Sequence, residues 1–142
     1  MSKARLLQVA RVVVLLAIAI SAYTHLRLAS DYDHPAGGSF TQGTLFKVQA
    51  VVALLIAITL AIRANINGWA NATLLLLGSF AAVLFYRYGN LGQFLFLPDM
   101  RDKTWSSRDN LKVISTFAEG GGGLIALAAL IDTVRGKVKT AR

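Results

Sequence analysis

Residues 111–131 read LKVISTFAEGGGGLIALAALI, an apolar stretch long enough to cross a bilayer, because a helix needs about 20 residues to span a hydrocarbon core of about 30 Å. Glu119 lies inside it. An ionisable side chain at that depth is costly and marks a functional or paired position. The stretch therefore fixes a membrane setting and points to one polar focus within it.

Three further stretches have the same character: 7–28, 44–62 and 69–86. The chain is 55% hydrophobic and only 15% charged, with a mean hydropathy of +0.55, which is membrane composition. The expected fold is all-α: a polytopic membrane protein forming one four-transmembrane-helix bundle over residues 1–142, with no room for a separate soluble domain. Cysteine is absent, which excludes disulfides, thiolate metal sites and cysteine nucleophiles. The net charge of +8 does not indicate nucleic-acid binding, because most of the basic residues flank the apolar stretches, where they act as interfacial anchors and orientation signals.

Lys3, Arg5, Arg11, Arg63, Arg135, Lys137, Lys139 and Arg142 fall on the side of the termini. Arg27, Lys47, Arg87, Arg101, Lys103, Arg108 and Lys112 fall on the other side, spread through two longer loops and offset by Asp31, Asp33, Asp99, Asp102 and Asp109. The short, densely positive tails place both termini in the cytoplasm of a plasma-membrane protein. The first stretch also has features of a cleavable secretory signal, with Lys3 and Arg5 ahead of an apolar run and small residues at Ala17 and Ala19. It stays largely apolar through Leu28, which favours a retained span.

Small residues recur at helix-packing intervals: Ala17 and Ser21, Gly78 and Ala82, and Ala118, Gly122 and Ala126. Such faces let helices approach closely in lipid. The first leads on to His25 and the second to Tyr86, each four residues beyond. The run Gly120 to Gly123 is read either as a close helix contact or as a local break exposing carbonyls to a cavity.

Glu119 lies about 12 Å from Leu111 along a helix axis, in the outer half of the membrane under the proposed orientation. His25, Lys47, Gln49, Tyr86 and Arg87 fall near the same level on the other three spans, and together with Glu119 they form the candidate ligand-binding set. A carboxylate there needs a partner or must hold its proton, and Lys47 and Arg87 are the candidate cations, with His25 as a third. Snorkelling and the aromatic belt would account for Lys47, Arg87 and Tyr86 without any function.

The first loop carries Asp31, Asp33 and His34, which are either metal donors or residues that cap and solvate the turn marked by Pro35, Gly37 and Gly38. In the longest loop, Phe94 to Leu97 is too short to span and is expected at the interface or over the bundle as a lid.

Tyr23-Thr24-His25-Leu26, Tyr32, Gly43-Thr44-Leu45-Phe46, the Gly89-Asn90-Leu91-Gly92-Gln93-Phe94 segment and Glu119 together resemble small four-helix integral membrane proteins of actinobacteria. The resemblance implies the fold and no activity. The Asp31 to Asp33 cluster and the glycine run are not part of that pattern.

Two function classes follow. One is a non-enzymatic binding or accessory protein whose outer-leaflet pocket takes membrane lipid, another amphipathic molecule such as a quinone, or a partner helix from a homo-oligomer or larger membrane complex. The other is a membrane enzyme or proton-coupled transporter in which Glu119 and His25 exchange protons. No metal motif, nucleophile elbow or phosphate loop supports an enzyme, no internal repeat supports a conventional transporter, and no motif specifies a cofactor. The topology is checked with reporters: a periplasm-dependent enzyme fused after Arg142 is expected to be inactive and one inserted near Gly37 active, and the reverse pattern would invert the assignment.

Overall fold

The computed structural model describes residues 2–33, 40–89, 99 and 110–140. They form four helices: α1 (Lys3–Ala29), α2 (Gln42–Ile62), α3 (Ile66–Tyr88) and α4 (Asn110–Thr140). All four are long and apolar enough to cross a membrane, and no strand occurs among the described residues. His34 and the turn after it, and the Phe94 to Leu97 segment, lie outside the described residues.

The apolar stretches of α1, α2 and α3 extend into polar flanks where a side chain closes the first turn. The Thr41 hydroxyl accepts from the Thr44 N–H at 3.0 Å, and the Asn65 side chain accepts from the Gly68 N–H at 2.9 Å; Ser2 accepts from the Arg5 N–H at 3.4 Å. Such caps satisfy donors that the helix itself leaves open. The turn from α1 into α2 is closed by the Gly43 N–H donating to the Tyr32 carbonyl at 2.9 Å. A side chain at Gly43 would collide with the Ala29 carbonyl oxygen, so only glycine lets α2 start beneath α1's end.

The helices follow the order α2, α1, α4, α3 around the bundle. α1 packs closely against α2 and α4, and α4 against α3, whereas α2 and α3 touch sparsely despite their short connection, and α2 and α4 do not pack together. Large apolar side chains such as Leu74 (73% exposed) and Phe117 (77% exposed) point outward, which in water would be a liability and in lipid is the ordinary surface. The apolar core, including Val14, Ile18, Leu60, Trp69, Leu76 and Ala126, fills the half of the bundle nearest the termini. Of the buried polar side chains, Ser21, Thr24, Ser115 and Glu119 occupy the half nearest the two loops, while Thr73 lies in the other half and donates to the Trp69 carbonyl of its own helix.

The glycine run resolves as a contact. α4 is an unbroken helix through Gly120 to Gly123. A Cβ on Gly122 would strike the Ala17 side chain of α1, and one on Gly120 would come within 3.0 Å of the Phe80 ring of α3. Gly121 faces open space, so its glycine has no packing reason here. The Gly78 and Ala82 face, expected to be a helix contact, is exposed, and a Cβ on Gly78 meets nothing within 4 Å. The buried residues of α3, Gly68, Trp69, Ala72, Thr73 and Leu76, all lie in its first half. Gly122→Leu is therefore expected to lower unfolding stability in detergent by roughly 1 to 3 kcal/mol, the usual scale of overpacking. Leu124→Ala, on a lipid-facing side chain 62% exposed, is expected to leave it nearly unchanged; equal effects would remove the α1–α4 contact from the account.

Candidate functional site

The close approach of Ala17 and Gly122 sets the site, because α1 and α4 run in opposite directions. One turn from that contact toward the loops, Ser21 on α1 meets Glu119 on α4. The Ser21 hydroxyl donates to Glu119 Oε1 at 2.6 Å, and the Ser115 hydroxyl, one turn from Glu119 on the same helix, donates to the same oxygen at 3.1 Å. Glu119 is 0% exposed. Two hydroxyl donors on one carboxyl oxygen replace the water it has lost.

The network then reaches α2 and α3. Gln49 Nε2 donates to Ser21 Oγ at 3.1 Å and to Ser79 Oγ at 3.3 Å, so the Gln49 amide spans the sparsely packed α2–α3 seam. His25 lies one turn from Ser21, and its Nδ1 is 2.8 Å from the Ser21 carbonyl oxygen, so that nitrogen carries the proton and donates. The same nitrogen is 4.0 Å from Glu119 Oε1, which makes His25 the ionisable neighbour of the acid. Phe46 fixes the imidazole ring edge to face, with centroids 5.1 Å apart.

Beside the α2–α3 seam lies a cavity of about 220 Å³. Glu119, Gln49 and His25 line it, with Thr24, Ser79 and Ser115; Phe46, Tyr32 and Tyr86 supply aromatic wall, and Arg87 and Lys112 line it toward the loops. Lys112 is held by the Tyr32 hydroxyl, to which it donates, and the Arg87 guanidinium lies 5.7 Å from the centre of the Tyr88 ring. Among the described residues, three buried polar atoms have no hydrogen-bond partner: Glu119 Oε2, Gln49 Oε1 and Thr24 Oγ1. All three residues belong to the cavity wall.

Of the six residues read from the sequence, Glu119, His25 and Gln49 are joined through Ser21, and Tyr86 and Arg87 line the same cavity. Lys47 does not belong. Its ammonium pairs with Asp33 at 3.0 Å, with both side chains substantially exposed, and it is not part of the cavity wall. Neither Lys47 nor Arg87 is the counter-ion of Glu119: helix phase turns Lys47 to the α1–α2 turn, where Asp33 also accepts from the Thr41 hydroxyl at 2.6 Å. That contact gives Asp33 a turn-fixing role. Ser21, Ser79 and Ser115 were missed as site residues, although Ser21 and Ser115 stand one helical turn from His25 and Glu119, a spacing that signals a shared face.

No family model, curated protein or solved structure matches the chain.

The geometry separates two outcomes for the acid. Glu119→Gln keeps an acceptor for both serines, so the expected loss is below about 1 kcal/mol, whereas Glu119→Leu strips two buried hydroxyls of their acceptor and should lose roughly 2 to 4 kcal/mol. Reversible unfolding in mixed micelles measures both. A loss of about 3 to 5 kcal/mol for Glu119→Gln, the scale for breaking a buried ion pair, would show that a charged partner had been overlooked.

Proposed function

We propose that this is a non-enzymatic binding or accessory protein of the cell membrane, with both termini cytoplasmic. Its cavity, in the outer-leaflet half, receives the polar end of an amphipathic molecule of the lipid or quinone type. The observation that carries this reading is that two unpartnered buried oxygens, Glu119 Oε2 and Gln49 Oε1, belong to residues that line the cavity. A buried polar atom without a partner costs about 1 to 3 kcal/mol, so a site that holds several together is one whose partners arrive with a ligand.

Size supports a head with an external tail. An apolar cavity of about 150 Å³ takes a benzene ring, so about 220 Å³ accommodates one ring or small head and not a whole lipid. The tail leaves between α2 and α3, the most sparsely packed pair of neighbours around the bundle, where small side chains such as Ala82 line the cavity. The charge distribution of the tails and loops supports the orientation. Proton exchange between His25 and Glu119 is a second reading, favoured by their 4.0 Å separation; it predicts a pH-dependent proton flux in liposomes that His25→Ala abolishes.

The binding reading is tested by native mass spectrometry and extraction of the detergent-purified protein. The parent is expected to carry a defined amphiphile at about one per chain. Ala82→Trp, which fills the cavity from its lipid-facing side, is expected to lose it while keeping thermal stability. Identical bulk-lipid profiles for the two proteins would refute the reading.

A further inference from the structure

We infer that the head group this cavity selects is an uncharged ring bearing a hydroxyl, of phenol or quinol type, in preference to a phosphate or ammonium head. This deepens the binding reading above and rests on it. The inference begins with where the hydrogens go. Gln49 directs Nε2 at both Ser21 Oγ (3.1 Å) and Ser79 Oγ (3.3 Å). Ser21 has one proton, and it is committed to Glu119 Oε1 at 2.6 Å, so Ser21 can only accept from Gln49. A flipped amide would set an oxygen against a hydroxyl with no proton left to give. The Gln49 oxygen is thereby left buried and unpartnered, and an amide oxygen only accepts.

The ligand must therefore bring a donor. Glu119 Oε2, the second unpartnered oxygen, accepts when the carboxyl is ionised and donates if it carries the proton. A hydroxyl both donates and accepts, so it serves the pair in either state, whereas an ether can give nothing to Gln49 and an unprotonated phosphate oxygen brings an acceptor to an acceptor. A fixed ammonium meets a wall that also holds His25, Arg87 and Lys112. Depth argues the same way. Glu119 lies seven residues beyond Lys112 on α4, about 10 Å along the helix, so a phosphate held by the cations toward the loops would leave the deep oxygens unmet. The walls suit a ring: Phe46 stands edge to face with His25 at 5.1 Å and tilted against Tyr32 at 5.4 Å, and the volume of about 220 Å³ exceeds the ~150 Å³ that holds benzene.

The test titrates the full chain in phosphatidylcholine nanodiscs with 4-nonylphenol, its methyl ether 4-nonylanisole and nonyl phosphate, read by calorimetry. The phenol is expected to bind roughly tenfold more tightly than the ether, the scale of one or two net hydrogen bonds. Gln49→Leu should abolish the preference, so that phenol and ether bind this variant equally. Should Gln49→Leu not fold, Ala82→Trp must abolish phenol binding. No preference for the phenol, whether because the ether matches it, the phosphate exceeds it or nothing binds saturably, overturns the inference. The binding reading itself is decided separately, by whether the parent and Ala82→Trp proteins carry identical bulk-lipid profiles.

Discussion

The hydrogen bond between Ser21 and Glu119 is the constraint on which the rest of the bundle depends. A carboxyl in the interior of a membrane protein is tolerated only where protein replaces water around it, and here that replacement comes from a hydroxyl on the first helix and another one turn away on its own. For Ser21 to reach 2.6 Å, the backbones of α1 and α4 must come close, which is why Gly122 faces Ala17 where a side chain would collide. Glycine at this position is thus tied to the polar chemistry as well as to packing: one added methyl pushes the hydroxyl away from the acid. In lipid, where apolar side chains gain little from leaving their surroundings, close contact and polar pairing are the main forces available to hold helices together.

The same economy divides the molecule into two halves with different jobs. Near the termini, Trp69, Leu60, Ile18 and Leu76 interdigitate and seal the bundle. Toward the loops, the sparsely packed α2 and α3 are joined by the Gln49 amide, which donates to Ser79 on α3 at 3.3 Å and to Ser21 on α1 at 3.1 Å. An opening with largely apolar walls lies there, with Glu119, Gln49 and His25 among its lining residues. It is also where an exposed small face on α3, Gly78 and Ala82, lies without a helix against it.

The fold was legible because its signal is compositional: the expected spans 7–28, 44–62, 69–86 and 111–131 all fall inside the observed helices. Glu119 was legible as the polar focus for the same reason, standing out against its surroundings. Its partners were less so. Lys47 looked like a counter-ion because helix-end depth alone placed it at the right level, but depth says nothing of azimuth, and Asp33 competes for it at 3.0 Å. The serines escaped notice because a small hydroxyl residue in a span reads first as a packing residue, and whether it also donates depends on the facing helix. The Gly78 to Ala82 spacing misled in the opposite sense, since small-residue periodicity records that a close approach is permitted and leaves open whether a neighbour takes it.

The pairing of the first helix with the last has a consequence for biogenesis. Ser21 and Glu119 are separated by 98 positions in the chain, so the contact that shelters the acid has the long sequence separation that makes assembly slow. During synthesis α1, α2 and α3 emerge first, and the hydroxyl waits in the bilayer for a segment that carries both the carboxyl and four successive glycines. That segment brings an ionisable side chain into the bilayer, which is costly until protein surrounds it, and docking against α1 supplies the Ser21 donor. Quality control that recognises unassembled polar spans would therefore act on this chain at one moment, between the arrival of α4 and its closure on α1.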